Sequence, residues 1–279
     1  MTLEPERTPP RSVLICHRGA DFDRQGLAKW LASFSTVAGI VELDEPASRT
    51  MQRVRREIRR SGWLGFADVL ALRAYYRLTT ARRDRAWEHS AVAMLRDRFA
   101  GAPECDNVLQ AKSINSPECV EFIRACRPDL MLARCKTILK PAVFTLAPGG
   151  TYVLHPGICP EYRNAHGCFW ALSAGDLSRV GLTLLRIDAG VDTGPVYGYF
   201  SYPFDEREES HIVIQLRVLL ENLDGIRDTI LSAASGTAEP LDVRGRASAV
   251  WGQPRLSAYL RWKMRARKEG HVSPHSSLP

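Results

Sequence analysis

Residues 129–155 begin with Asp129-Leu-Met-Leu-Ala-Arg134, continue through Ile138–Phe144 and the turn Pro148-Gly-Gly150, and end with Thr151-Tyr-Val-Leu-His155. The two apolar runs are short, unbroken and bounded by turn residues, so they read as buried strands with a short helix between them. The same alternation extends upstream. Ser12-Val-Leu-Ile-Cys16 is a strand feeding His17-Arg-Gly19, and Asp21 is placed to cap a helix carrying Leu27, Trp30, Leu31 and Phe34. Residues 37–43 form a second strand and 107–111 a weak third, and 116–126 form a helix capped by Ser116 with Glu118 in its first turn. Strand–helix alternation predicts an α/β, Rossmann-like, mostly parallel sheet flanked by helices. Ligands of such sheets gather at the carboxyl ends of the strands, here the loops after Cys16, Arg134 and His155.

Two departures from the alternation are expected. From about 46 to 100 the pattern is helical, broken at Gly62 and Gly65, and reads as an insertion. After strands at 180–187 and 196–202, a helix over 206–233 and a basic helix over 255–268 make a C-terminal extension spanning 205–268, with the α/β domain over 11–204. Residues 1–10 and 269–279 read as a flexible and a disordered tail.

The chain has 279 residues, 45% hydrophobic and 25% charged, enough for a packed core and too apolar for wholesale disorder. No apolar run approaches the ~18–20 residues of a membrane span. The N-terminus, with Glu4, Glu6, Pro9 and Pro10, does not resemble a signal peptide. A cytoplasmic location with no membrane partner is the expectation. Seven cysteines with no CxxC pair argue against a disulfide scaffold. His155, Cys159, His166 and Cys168 crowd together, but their spacing fits no familiar zinc pattern, so no metal is expected. The net charge is +7, and the stretch 49–98 holds 13 arginines, no lysine and five acids. Such a block either meets an anionic substrate or partner or forms a solvated helical face, the latter being the commoner case.

The chemistry concentrates between 151 and 200. His155 ends a strand, and Asp192 sits within Asp188-Ala-Gly-Val-Asp-Thr-Gly-Pro195. A carboxylate opposite an imidazole fixes which nitrogen is free and lets the ring move a proton near neutral pH. Gly190 and Gly194 would let the loop approach a flat ligand through its backbone. Asp188, opening a turn, is expected to shape the loop.

These residues resemble the folate-dependent formyltransferases. His155, Pro156, Pro160, Tyr162 and Arg163 match that family's first block, Asp188, Gly190, Asp192, Thr193 and Gly194 its second, and Pro128-Asp129 its preceding strand. The resemblance implies transfer of a formyl group from 10-formyltetrahydrofolate, as co-substrate, to a small-molecule amine acceptor, which would be anionic if the arginines of 49–98 meet it. It implies His155 as the group taking the amine proton and Asp192 as the group holding and balancing it. Arg134, Asp188, Gly190, Val191, Thr193 and Gly194 would contact the folate, and Tyr162, Arg163, Asn164 and His166 the acceptor. A tRNA acceptor is not expected, because the C-terminal helices leave no room for the β-barrel module of the family's tRNA-acting members. Hydrolysis of the formyl-folate, or a folate-binding module without catalysis, are the alternatives. One position departs from the family: its catalytic Asn is Val153 here. Valine cannot donate to a tetrahedral oxyanion, an interaction worth ~3–4 kcal/mol in comparable enzymes. Arg134, Lys136, Asn164 and His166 are the candidate substitutes.

Overall fold

A computed structural model describes residues 8–44 and 46–269. Its strands are β1 (Arg11–His17), β2 (Thr36–Leu43), β3 (Val108–Ala111), β4 (Leu130–Arg134), β5 (Thr151–His155), β6 (Leu182–Arg186) and β7 (Val196–Phe200). They form one seven-stranded sheet in the order β3-β2-β1-β4-β5-β6-β7. The α/β architecture read from the sequence is therefore the one observed. By packing, the chain divides into two compact units. Residues up to 44 join 92–151 in the first, and 45–91 join those from 152 onward in the second.

In the first unit β1 pairs in parallel with both β2 and β4, and β2 with β3. Val13, Leu14, Ile15 and Cys16 are fully buried, as are Met131 and Leu132, which explains why these strands are apolar without alternation. The crossover before β4 is α4 (Pro117–Cys126). Ser116 caps it by accepting from the Cys119 amide at 3.3 Å, and it ends at Arg127 in the left-handed region. The helix after β1 starts as a π-helical turn, Phe22–Leu27, and becomes α1 over Ala28–Ala32. Asp21 does not cap it. Its carboxylate instead accepts from the Gln25 side chain at 2.9 Å.

In the second unit β5 pairs antiparallel with β6, and β6 with β7. The helical stretch is α2 (Ala47–Thr79) followed by α3 (Ala81–Arg98), of which residues 81–91 belong to this unit. Gly62 breaks α2, with φ 70° and ψ 173°, whereas Gly65 lies in continuous helix. Val69 and Leu72 are buried, and the arginines at 53, 55, 56, 59, 73 and 77 are exposed. In the first unit, the short helix expected from 138 begins only at Pro141 and runs to Phe144 (α5). The single helix expected over 206–233 is two: α7 (His211–Glu221), capped by the Ser210 hydroxyl on the Val213 amide, and α8 (Leu223–Ala234). Residues 205–209 form a turn instead, organised by Asp205 accepting from the Arg207 and Glu208 amides. The last helix, α9 (Leu256–Glu269), buries Ala258, Tyr259, Trp262 and Ala266, a 3–4 spacing that gives it one apolar face. Of the tails expected at 1–10 and 269–279, residues 1–7 and 270–279 lie outside the described residues.

Candidate active site

β5 projects Val153 and His155 from the same face, two residues apart. Antiparallel pairing sets Val153 opposite Leu185 and His155 opposite Thr183. The turn after β5 is fixed by that buried threonine. Its hydroxyl donates to the Gly157 carbonyl at 2.6 Å and accepts from the Cys159 amide at 3.0 Å. The chain then reaches α6 (Gly167–Ala174). A Cβ on Gly157 would lie 2.7 Å from the Gly167 Cα, so both glycines are needed for the backbones to approach.

His155 is 4% exposed, and both its ring nitrogens are engaged. Nε2 lies 2.7 Å from the Tyr162 carbonyl oxygen, which only accepts, so this nitrogen carries a proton. Nδ1 faces Asp192 Oδ2 at 3.5 Å. Burial opposes charge on the ring, but the Cys159 sulfur, the Asp192 carboxylate and the Tyr162 carbonyl outweigh it. They hold the His155 pKa above the free imidazole value, at about 9. Asp192 Oδ2 also accepts from the Asn164 amide at 2.7 Å. Asn164, His166 and Asp192 all have positive φ (72°, 69° and 49°), in residue types that tolerate the left-handed region. Such conformations gather where surrounding structure over-determines the backbone, often at functional sites.

The other expected site residues fall as follows. The Tyr162 hydroxyl donates to Asp176 at 3.0 Å, so the contribution of this residue to His155 is its main-chain carbonyl. Arg163 Nη1 donates to the Val191 carbonyl at 3.3 Å, joining the two blocks. The Asn164 side chain donates to the Trp251 carbonyl at 2.6 Å, which commits one candidate substitute donor. His166 precedes α6 as its left-handed cap residue. Arg134 belongs to the first unit, where it donates to Asp23 at 2.9 Å.

In the 188–194 loop, Asp188 accepts from the Gly190 amide at 2.9 Å and the Thr193 hydroxyl at 2.8 Å, the loop-shaping role read for it. The two glycines serve this closure. A Cβ on Gly190 would stand 1.9 Å from Thr193 Oγ1, and one on Gly194 1.9 Å from the Arg186 carbonyl oxygen. Ala189, Gly190, Val191 and Thr193 stay exposed at the crest.

Val153 packs against a small apolar cluster of Cys159, Leu185 and Val196, with Tyr199 and Val243 beside it. Sequence reading missed Trp251, whose indole N–H donates to the Glu161 carbonyl at 2.9 Å. Its ring stacks on Tyr162 (centroids 5.6 Å) and Trp170 (5.0 Å). The one available signal was a tryptophan in an otherwise polar, Gly- and Pro-containing stretch. Arg246 was missed as well. It pairs with Glu161 at 2.9 Å and donates to the Tyr199 hydroxyl at 2.7 Å.

Residues 50–224 match the family described as Formyl transferase. A methionyl-tRNA formyltransferase of Xylella fastidiosa (strain M23) is 36% identical over 104 residues, 37% of this chain and 34% of that protein. One from Sorangium cellulosum is 27% identical over 176 residues, 62% of this chain and 56% of that protein. The chain thus matches about a third of the length of the Xylella relatives. Among solved structures, glycinamide ribonucleotide transformylase 1 from Symbiobacterium toebii superposes with TM-score 0.52 at 16% identity, over 84% of this chain and 94% of that one. A sugar N-formyltransferase from a Shewanella species gives 0.51 at 12%, over 90% and 87%. At these identities the likeness is one of fold.

Proposed function

Because the chain belongs to the formyl transferase family, we propose that it is an enzyme transferring a formyl group from 10-formyltetrahydrofolate to an amine. The observation that carries the reading is the buried His155–Asp192 pair, 3.5 Å apart at the end of β5. With His155 held protonated at neutral pH, the ring is placed to supply positive charge rather than to remove a proton. With both N–H groups already engaged, its charge acts through space on the oxyanion that forms when the amine attacks the formyl carbon, in place of the hydrogen bond of the Asn that Val153 replaces. Asp192 is then the group left to take the proton the amine loses, which differs from the roles implied by resemblance alone. The exposed crest at 189–191 faces a flat donor with the Gly190 amide and the Val191 carbonyl already held within the protein, while Arg163 and Asn164 hold the two loops together. The acceptor is a small amine rather than a tRNA, and the site of action is the cytoplasm.

A second reading, a folate-binding module without turnover, is favoured by one observation: the apolar packing of Val153 leaves no side-chain donor at that position. Incubation with 10-formyltetrahydrofolate and a panel of amino sugars and amino-nucleotides, read by release of tetrahydrofolate, separates the two. Release that depends on the amine supports transfer, release without amine supports hydrolysis, and binding without release supports the module.

A further inference from the structure

The second unit holds a surface cavity of about 270 Å3 that the formyl-transfer reading does not use. Its walls bring together Tyr75 and Thr79 from the end of α2, Arg83 from the start of α3, Arg207 from the 205–209 turn, and Lys263 and Arg267 from α9. Tyr259, Lys263 and Arg267 follow one another at four-residue spacing, so α9 offers them from one face. Four cations line the cavity and no carboxylate does.

Three of the cations are anchored by main-chain carbonyls, which orient them without cancelling their charge. Lys263 Nζ donates to the carbonyls of Glu206 (2.5 Å) and Glu209 (2.8 Å). Arg207 donates to those of Ala266 and Arg267, both at 3.1 Å, and Arg83 to that of Glu208 at 2.6 Å. The Arg267 guanidinium has no partner among the described residues. Nearby carboxylates are turned to other tasks. Glu206 accepts from the Trp262 indole, Glu209 from Tyr202 and Arg217, and Asp205 from the turn amides; Asp84 accepts from Tyr76 through one oxygen and forms a long ion pair with Arg83 Nε, 3.8 Å, through the other. Burial foremost, and then the neighbouring Arg83, push the Lys263 pKa down to about 8 against the opposing pull of the Glu206, Asp205 and Asp84 carboxylates. One wall is aromatic, with the Tyr75 and Tyr259 rings 5.6 Å apart.

We infer that this cavity is a binding site for a phosphate group on a small soluble organic molecule, held by Arg83, Arg207, Lys263 and Arg267 with the tyrosine pair against the organic part. Fixed guanidinium groups meet phosphate oxygens in paired, charge-assisted hydrogen bonds. The inference stands apart from the formyl-transfer reading, since binding is measured without turnover.

The test is calorimetric titration of the whole chain with pyrophosphate and with AMP, at ionic strength held constant with sodium chloride. The expected result is saturable binding with proton uptake near pH 8, as the phosphate returns Lys263 to its charged form. Arg267→Glu should weaken it roughly tenfold or more. Arg244→Glu, the same charge change at a residue 90% exposed outside the cavity, should leave it intact. No saturable binding, or equal loss in both variants, overturns the proposal. Binding to phosphatidylglycerol vesicles, sensitive to Arg267→Glu, with no binding of either soluble probe also overturns it, because the phosphate would then be a lipid headgroup.

Discussion

His155 and Asp192 are tied together by charge across a gap of 3.5 Å, which conservative substitutions at either residue can probe. Asp192→Asn keeps an oxygen for the Asn164 amide but loses the carboxylate, so turnover should fall by ~10²–10⁴, the usual worth of a positioned acid or base. The melting temperature should move by only a few degrees. A variant that unfolds instead makes Asp192 a structural residue. If the charged ring of His155 carries the rate, kcat declines as pH rises through about 9; a rate that climbs across that range would return His155 to the role of base. Val153 offers a separate test. It is half-buried against a mostly apolar cluster, so Val153→Asn sets an amide where few partners stand, costing up to ~1–3 kcal/mol of stability and raising kcat not at all. A gain in rate would show that the pocket still holds the vacancy the family's Asn fills.

At the scale of elements, the 188–194 loop is closed by its own contacts before any ligand arrives. Gly194→Ala drives a methyl group to within 1.9 Å of the Arg186 carbonyl oxygen, and because that atom is backbone, the loop must open. The expected outcome is loss of turnover together with a lowered melting temperature, measured side by side; an unperturbed variant would mean the loop has slack. In α2, Arg55, Arg56 and Arg59 are exposed, whereas Arg60 donates to the Val250 carbonyl at 2.6 Å. Reversal of the first three to glutamate should raise the acceptor KM and flatten its salt dependence if the acceptor is anionic. An unchanged KM would assign the block to a solvated face. Arg60→Glu should instead lower stability, because it removes a hydrogen bond to the segment that carries Trp251.

For the whole molecule, two buried histidines set opposite limits on stability. His155 holds its proton more tightly folded than unfolded. Its contribution is therefore complete below the unfolded value near 6.5 and is lost as pH rises toward about 9. His211 is the reverse. Burial foremost, with His166 and Lys263 beside it, lowers its pKa to about 3. The unfolded chain then takes up the proton first, and stability falls as pH drops below about 6.5. Lys263, lowered to about 8, returns some stability above that pH, so the alkaline slope between about 6.5 and 8 belongs to His155. Thermal melts from pH 4 to 10 should peak near 6.5. His155→Gln should remove the alkaline slope. His211→Phe, which preserves the ring contacts with Tyr76, Phe169 and Tyr259, should remove the acid slope. A flat profile in the wild-type chain would contradict both assignments.

The sequence by itself determined the strands of the sheet, the Ser116 cap, the break at Gly62 and the His155–Asp192 pairing. These rest on local signals: apolar runs bounded by turns, a hydroxyl before a proline, a glycine free to adopt positive φ, and two short motifs that chain geometry brings together. It misjudged Asp21, Gly65 and the unity of the 206–233 helix, where capping and breaking signals compete with packing. Only the tertiary structure decided which nitrogen of His155 is tied, what surrounds Val153, and that Trp251 buttresses a loop 87 residues away from it at Asn164. Those outcomes depend on groups distant in sequence sharing one low-dielectric space, where each contact alters the charge state of the next, and no periodicity along the chain records that.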